Sequence, residues 1–130
     1  MRYISYNVSK DSKMKFEVEF YETESGKVPI EEFLEKLDDK LRAKTVGLME
    51  ILEEKGTDMR EPYSKYIDDG IFELRCKLGS NITRSLYFFY SGRKIIFTNG
   101  FVKKTQKIPA KELSLAKKYR DDYLKRQGWG

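Results

Sequence analysis

The chain has 130 residues, of which 36% are charged and 14% aromatic, and a net charge of +5. That length suits one domain with a real core, and the Phe and Tyr content is too high for a disordered chain. The lack of histidine and the single cysteine, Cys76, exclude a disulfide framework, cysteine-based metal clusters and His-based acid–base catalysis, so no metal or cofactor is expected. No apolar run approaches the ~20 residues that span a bilayer, and the N-terminus lacks the apolar core of a secretory signal, so a cytosolic protein with no membrane partner is expected.

Charge is unevenly spread. Residues 1–60 hold 11 Lys/Arg against 14 Asp/Glu, and residues 61–130 hold 15 against 7. Such segregation suits a face presented to a polyanion, and a solvated lysine-rich surface fits it equally well.

In chain order, Met14 to Tyr21 (MKFEVEFY) alternates apolar and polar residues, with Phe16, Val18 and Phe20 on one side, which predicts a half-buried strand. Ser25-Gly26-Lys27 supplies a turn, and Pro29 suits the first turn of a short helix carrying Phe33, Leu34 and Leu37. Asp38-Asp39 provides a break and a new N-cap for a longer helix to Lys55, and Gly56 ends it. Residues 57–69 read as a loop. Three strand-like runs follow, at residues 71–78, 82–90 and 94–102, joined by short Gly-containing connections. After Pro109 a helix is predicted over residues 110–126.

The order predicts an α+β domain: one antiparallel sheet, a helical hairpin from the N-terminal half packed on one face, and a C-terminal helix. Residues 14–127 form the domain in this reading, and residues 1–13 an N-terminal extension. In the run 71–78, Phe72, Leu74, Cys76 and Leu78 share the side expected to cover the helices. Ile71, Glu73, Arg75 and Lys77 share the other, expected to face solvent. The next run is ambiguous, because Arg84, Leu86, Phe88 and Tyr90 have one parity and Ser85, Tyr87 and Phe89 the other. If Arg84 lies on the open side it faces Arg75 or Lys77, and two cations that close need an anion between them. Cys76 reads as a small core residue rather than a nucleophile, and Tyr87 and Tyr90 as sheet packing. Glu73 has the simpler alternative of an ion pair with Arg75 or a neighbouring lysine.

The stretches Glu61-Pro62-Tyr63-Ser64-Lys65, Gly70-Ile71-Phe72-Glu73-Leu74-Arg75, Arg84-Ser85-Leu86-Tyr87-Phe88-Phe89 and Gly100-Phe101-Val102-Lys103-Lys104-Thr105-Gln106-Lys107-Ile108-Pro109 resemble the phage-type HigB proteins, the Gp49-like branch of the RelE/ParE superfamily. The likeness spans residues 14–126. It implies a RelE-like fold and a type II toxin that cuts mRNA on the ribosome and is silenced by a helix-turn-helix HigA-type antitoxin. It also implies that Arg84 contacts the scissile phosphate, that Glu73 and Arg75 stand at catalytic strand positions, and that Lys103 and Lys104 match basic residues after the last strand. The histidines of some relatives are missing.

RNA cleavage without metal needs a base for the 2′-OH, a clamp on the phosphate and an acid for the leaving oxygen. Arg75 and Arg84 suit the clamp, Glu73 the base, and Lys104 or Lys103 the acid. Lys65, Lys77 and Lys107 would hold backbone phosphates. The alternative is a ParE-like toxin that binds and poisons DNA gyrase without nuclease chemistry. A nucleic-acid-binding module without toxicity is a third reading.

Overall fold

The alternation of glutamates with Val18 and Phe20 forms a short strand, β1 (Glu17–Phe20), with the two apolar side chains buried. This structure, a computed structural model, describes residues 15–102 and 107–129. The expected extension at residues 1–13, and Lys103 and Lys104, lie outside the described residues. Helix α1 (Pro29–Glu35) begins on its proline and buries Ile30 and Leu34. Helix α2 (Asp39–Lys55) is capped by Asp38, whose Oδ1 accepts the Leu41 N–H at 2.9 Å. It ends at Gly56, where a φ of 52° favours a residue without Cβ.

Four more strands follow: β2 (Ser64–Asp68), β3 (Ile71–Leu78), β4 (Asn81–Tyr90) and β5 (Lys94–Val102). The last helix is α3 (Ala110–Leu124). The sheet order is β1-β5-β4-β3-β2. Strands β2 to β5 form an antiparallel meander, while β1 pairs with β5 in parallel, Val18 opposite Ile95 and Phe20 opposite Phe97. The outer edge of β1 is tied to α2, because Val18 N–H donates to the buried Glu53 carboxylate at 2.8 Å and Phe16 N–H to the Glu53 carbonyl at 2.9 Å. An edge strand held this way cannot readily recruit another chain.

The α+β class is as expected, with two corrections to the strands. The sheet is mixed rather than antiparallel, since the connection from β1 to β5 is long enough for a parallel return. The described chain opens on a strand followed by two helices, the order expected from the sequence. The segment 57–69 is not all loop, because residues 64–68 form the edge strand β2. Its hairpin to β3 turns on Asp69 (φ 52°) and Gly70 (φ 80°), two adjacent positive φ angles that suit the twist of a tight β-hairpin.

The sheet is also covered on both faces. Val18, Phe20, Leu74, Tyr87, Ile95 and Phe97 pack with Ile30, Leu34, Met49 and Leu52 of α1 and α2. Ile71, Leu86, Phe88 and Ile96 pack with Ala116 and Tyr123 of α3 on the opposite face. Helix α3 is pinned to the β2–β3 turn by Lys117–Asp68 (2.9 Å) and Arg120–Asp69 (3.0 Å). The side of β3 expected to be open to solvent is therefore partly buried. No helix among the described residues is long and apolar enough to cross a membrane.

Candidate functional site

Period-two alternation puts Ile71, Glu73, Arg75 and Lys77 of β3 on the α3 side of the sheet. Strand β4 keeps its own alternation throughout, and its register with β5 shifts between Ser85 and Tyr87. Arg84 therefore shares a face with Leu86 and Phe88, which settles the side left open by its sequence. In the β3–β4 ladder Arg75 stands directly opposite Arg84, Glu73 opposite Leu86, and Lys77 opposite Ile82. On the other flank of β3, Lys65 of β2 is opposite Glu73.

Like charges directly opposite each other on a sheet repel. The anion that offsets this repulsion is the protein's own Glu73. One carboxylate oxygen, Oε2, lies 3.0 Å from Arg75 Nε, and Oε1 lies 3.9 Å from Arg84 Nη1. Glu73 is only 2% exposed and Arg84 is 0% exposed, while Arg75 is part-exposed. Burial pushes the Glu73 carboxyl above its ordinary range, against the opposing pull of Arg84, Arg75 and Lys65. Burial likewise lowers Arg84, against the pull of Glu73. The result is a buried Glu73–Arg84 pair with Arg75 at its solvent side.

The basic residues divide by position. Lys77 is exposed on β3 with Glu73 and Arg75, and Lys65 is exposed on the neighbouring β2. Lys107 is exposed just ahead of Pro109 and α3. Lys103 and Lys104 fall outside the described residues. Tyr87 is core, stacked on Phe72 at 5.4 Å and sharing a 2.6 Å hydrogen bond with the Ser64 hydroxyl. Burial pushes its phenol up to about 12, too high for a base near neutral pH. Tyr90 packs edge-on against Tyr123. Cys76 is buried among the side chains facing α2.

One neighbour was not singled out from the sequence. Tyr63 is 53% exposed, and its carbonyl accepts the Arg75 N–H at 2.8 Å, which places it beside Arg75 at the sheet edge. Read as loop, residues 57–69 gave no register for Tyr63. The Asp69-Gly70 pair flanked by Tyr66-Ile67 and Ile71-Phe72 was the available hairpin signal.

No curated protein matches the chain. The family described as "Phage derived protein Gp49-like (DUF891)" matches residues 32–121, more than half of the chain and all of α2 to β5. That stretch contains Glu73, Arg75 and Arg84, so the chain belongs to the phage-derived Gp49-like family, a HigB/RelE-like toxin family.

Proposed function

We propose that this protein is the toxin of a type II toxin–antitoxin pair and acts as a metal-independent endoribonuclease on ribosome-bound mRNA, with a helix-turn-helix HigA-type antitoxin as its neutralising partner. The observation that carries the reading is Glu73 held between Arg75 and Arg84 in a chain of a toxin family. A carboxylate raised by burial is a better base near neutral pH than an exposed one, and an arginine at its solvent side suits a planar phosphate contact.

In this mechanism Arg75 binds the scissile phosphate and stabilises the charge that grows on it. Glu73 takes the proton of the 2′-OH, and the 2′-oxygen forms a bond to phosphorus as the bond to the 5′-oxygen breaks. Lys104, with Lys103 beside it in sequence, protonates the leaving oxygen. The products are a 2′,3′-cyclic phosphate and a 5′-hydroxyl. Arg84 has no exposed surface, so it serves as a positioning residue that orients Glu73 from below. Direct contact between Arg84 and phosphate would require this site to open, and Glu73, itself only 2% exposed, likewise reaches the 2′-OH as the site opens. Tyr63 offers an exposed ring beside Arg75 on which a base can stack. Lys65, Lys77 and Lys107 hold neighbouring phosphates of mRNA or ribosomal RNA.

The test is ribosome-dependent cleavage of a defined mRNA by wild type, Glu73→Gln and Arg75→Gln, with folding checked by circular dichroism. Folded variants that cut as fast as wild type overturn the assignment. The burial of Arg84 and Glu73 also suits a purely structural ion pair, and so a ParE-like toxin that poisons gyrase by binding. Cuts within codons after induction support the nuclease, and a DNA-damage response with intact mRNA supports the gyrase poison.

A further inference from the structure

Beside the sheet edge, on the α2 side, lies a groove of about 790 Å³ whose α2 wall the nuclease mechanism leaves unused. Its walls are apolar, with Leu48 and Ile51 from α2 facing Cys76 and Leu78 from β3. Ile51 is 45% exposed, an aliphatic side chain left at the mouth of the groove. The charged residues that line the groove are Lys44, Lys77 and Arg75, the last with its guanidinium turned to Glu73, and no carboxylate among the described residues lines it.

The backbone along this groove is also short of strand partners. The pairing of β2 with β3 ends at Ser64–Leu74, and the Arg75 N–H to Tyr63 carbonyl bond is the last one before β2 turns away. Beyond it, the Lys77 carbonyl is met by the Lys44 ammonium at 2.7 Å instead of by a strand. A flexible lysine can yield that carbonyl to an incoming group.

We propose that this groove is the docking site for a segment of the neutralising antitoxin that carries apolar side chains flanked by carboxylates. The partner's existence rests on the toxin reading above, and the site and the chemistry of its occupant rest on the groove itself. Lys44 and Lys77 at the rim, with no lining acid among the described residues, select against a basic segment and favour carboxylates, and the apolar walls bury Leu- or Ile-like side chains. Because Arg75 and Tyr63 border the groove at the sheet edge, an occupant lies against the edge that carries the groups assigned to phosphate and base, and it crowds mRNA there.

Gly47 provides a clean probe. A Cβ built there meets nothing within 4 Å, so a side chain at this position enters the groove without disturbing the core. The antitoxin encoded beside the toxin is purified and titrated against wild type, Gly47→Glu and Ile51→Glu by calorimetry. Both variants are expected to bind at least 100-fold more weakly while melting and cutting mRNA like wild type. Hydrogen exchange of the wild-type complex is expected to slow at residues 44–51 and 75–82. Unchanged affinity, or protection confined to other segments, overturns the proposal. So does a locus that encodes no neutralising protein, or a dimer of the isolated chain that both variants dissolve, which would assign the groove to a second copy. A wild-type chain that cuts no mRNA overturns the nuclease reading alone, because affinity and protection are measured independently of cleavage.

Discussion

Arg75 and Arg84 face each other directly across the β3–β4 ladder, and the carboxylate of Glu73 reaches toward both. Neither arginine would choose that position for stability alone. The arrangement persists because Glu73 supplies the missing negative charge and because strand register leaves the three side chains no other face. In the proposed function, this cluster of one buried cation, one buried acid and one part-exposed cation is completed by a phosphate from outside. That is the physical content of the functional reading.

The buried pair makes a stability prediction. Arg84→Met removes the buried cation beside Glu73 and leaves it to the more exposed Arg75 and Lys65, and losing one partner of a buried ion pair costs about 3–5 kcal/mol. The double variant Glu73→Leu/Arg84→Met removes both charges and is expected to be more stable than Arg84→Met alone. Urea unfolding midpoints of the three proteins check this. Equal midpoints for the single and double variants would mean that the two charges are not coupled.

Glu73 also sets a pH dependence. Its folded pKa is raised, so as pH climbs the carboxyl ionises later than an ordinary glutamate, for which the value is about 4.3. A general base works when ionised, so single-turnover cleavage should rise with pH through a limb above that value. Glu73→Gln should lower the rate by roughly 10²–10⁴-fold and abolish the limb. For stability the sign is opposite: the raised pKa favours the protonated folded form, so this contribution is full below the unfolded value and is lost as pH rises through the folded one.

Lys65 makes an electrostatic prediction. It is exposed and opposite Glu73, and each phosphate contact to single-stranded RNA contributes about 0.7 to the slope of log K against log salt. Lys65→Gln should weaken mRNA binding and flatten that slope by about this amount. Fluorescence titrations across a salt series measure it. An unchanged slope removes Lys65 from the interface.

The close approach of α1 to the sheet depends on Gly100. A Cβ there would lie 2.6 Å from Phe33 Cδ2 and 3.1 Å from Ile30 Cδ1. Gly100→Ala must push α1 away, and overpacking of this kind costs about 1–3 kcal/mol. Thermal and urea unfolding of the variant test this, with cleavage as a second readout.

The docking of α3 carries an acid-sensitive component. The Asp69 carboxyl is held below its usual range, first by its hydrogen bond from Arg120 and then by the charge of that arginine. A lowered folded pKa means stability that is full above the unfolded value of about 3.9 and lost as pH falls through the folded one. Arg120→Met should therefore be less stable than wild type at neutral pH, and the gap should narrow in acid. A gap that is constant with pH would assign the effect to packing.

The sequence by itself determined local periodicity. Alternation at Val18 and Phe20 marks β1, the Asp38 cap and Gly56 stop bound α2, and Glu73 and Arg75 are placed on one side of their strand. Cys76 could be read as core because Phe72, Leu74 and Leu78 share its parity, whereas the parity of the strand that carries Tyr87 left its facing open. What tertiary structure alone decided was which strands meet and what covers them. The parallel seat of β1 against β5, the edge strand β2 and the packing of α3 over Ile71, Leu86 and Phe88 all depend on residues far apart in the chain. The same long-range choices set the opposition of Arg75 and Arg84 and closed over Glu73. A repeat of two says which side chains share a face, while only the packed fold says whether that face meets water.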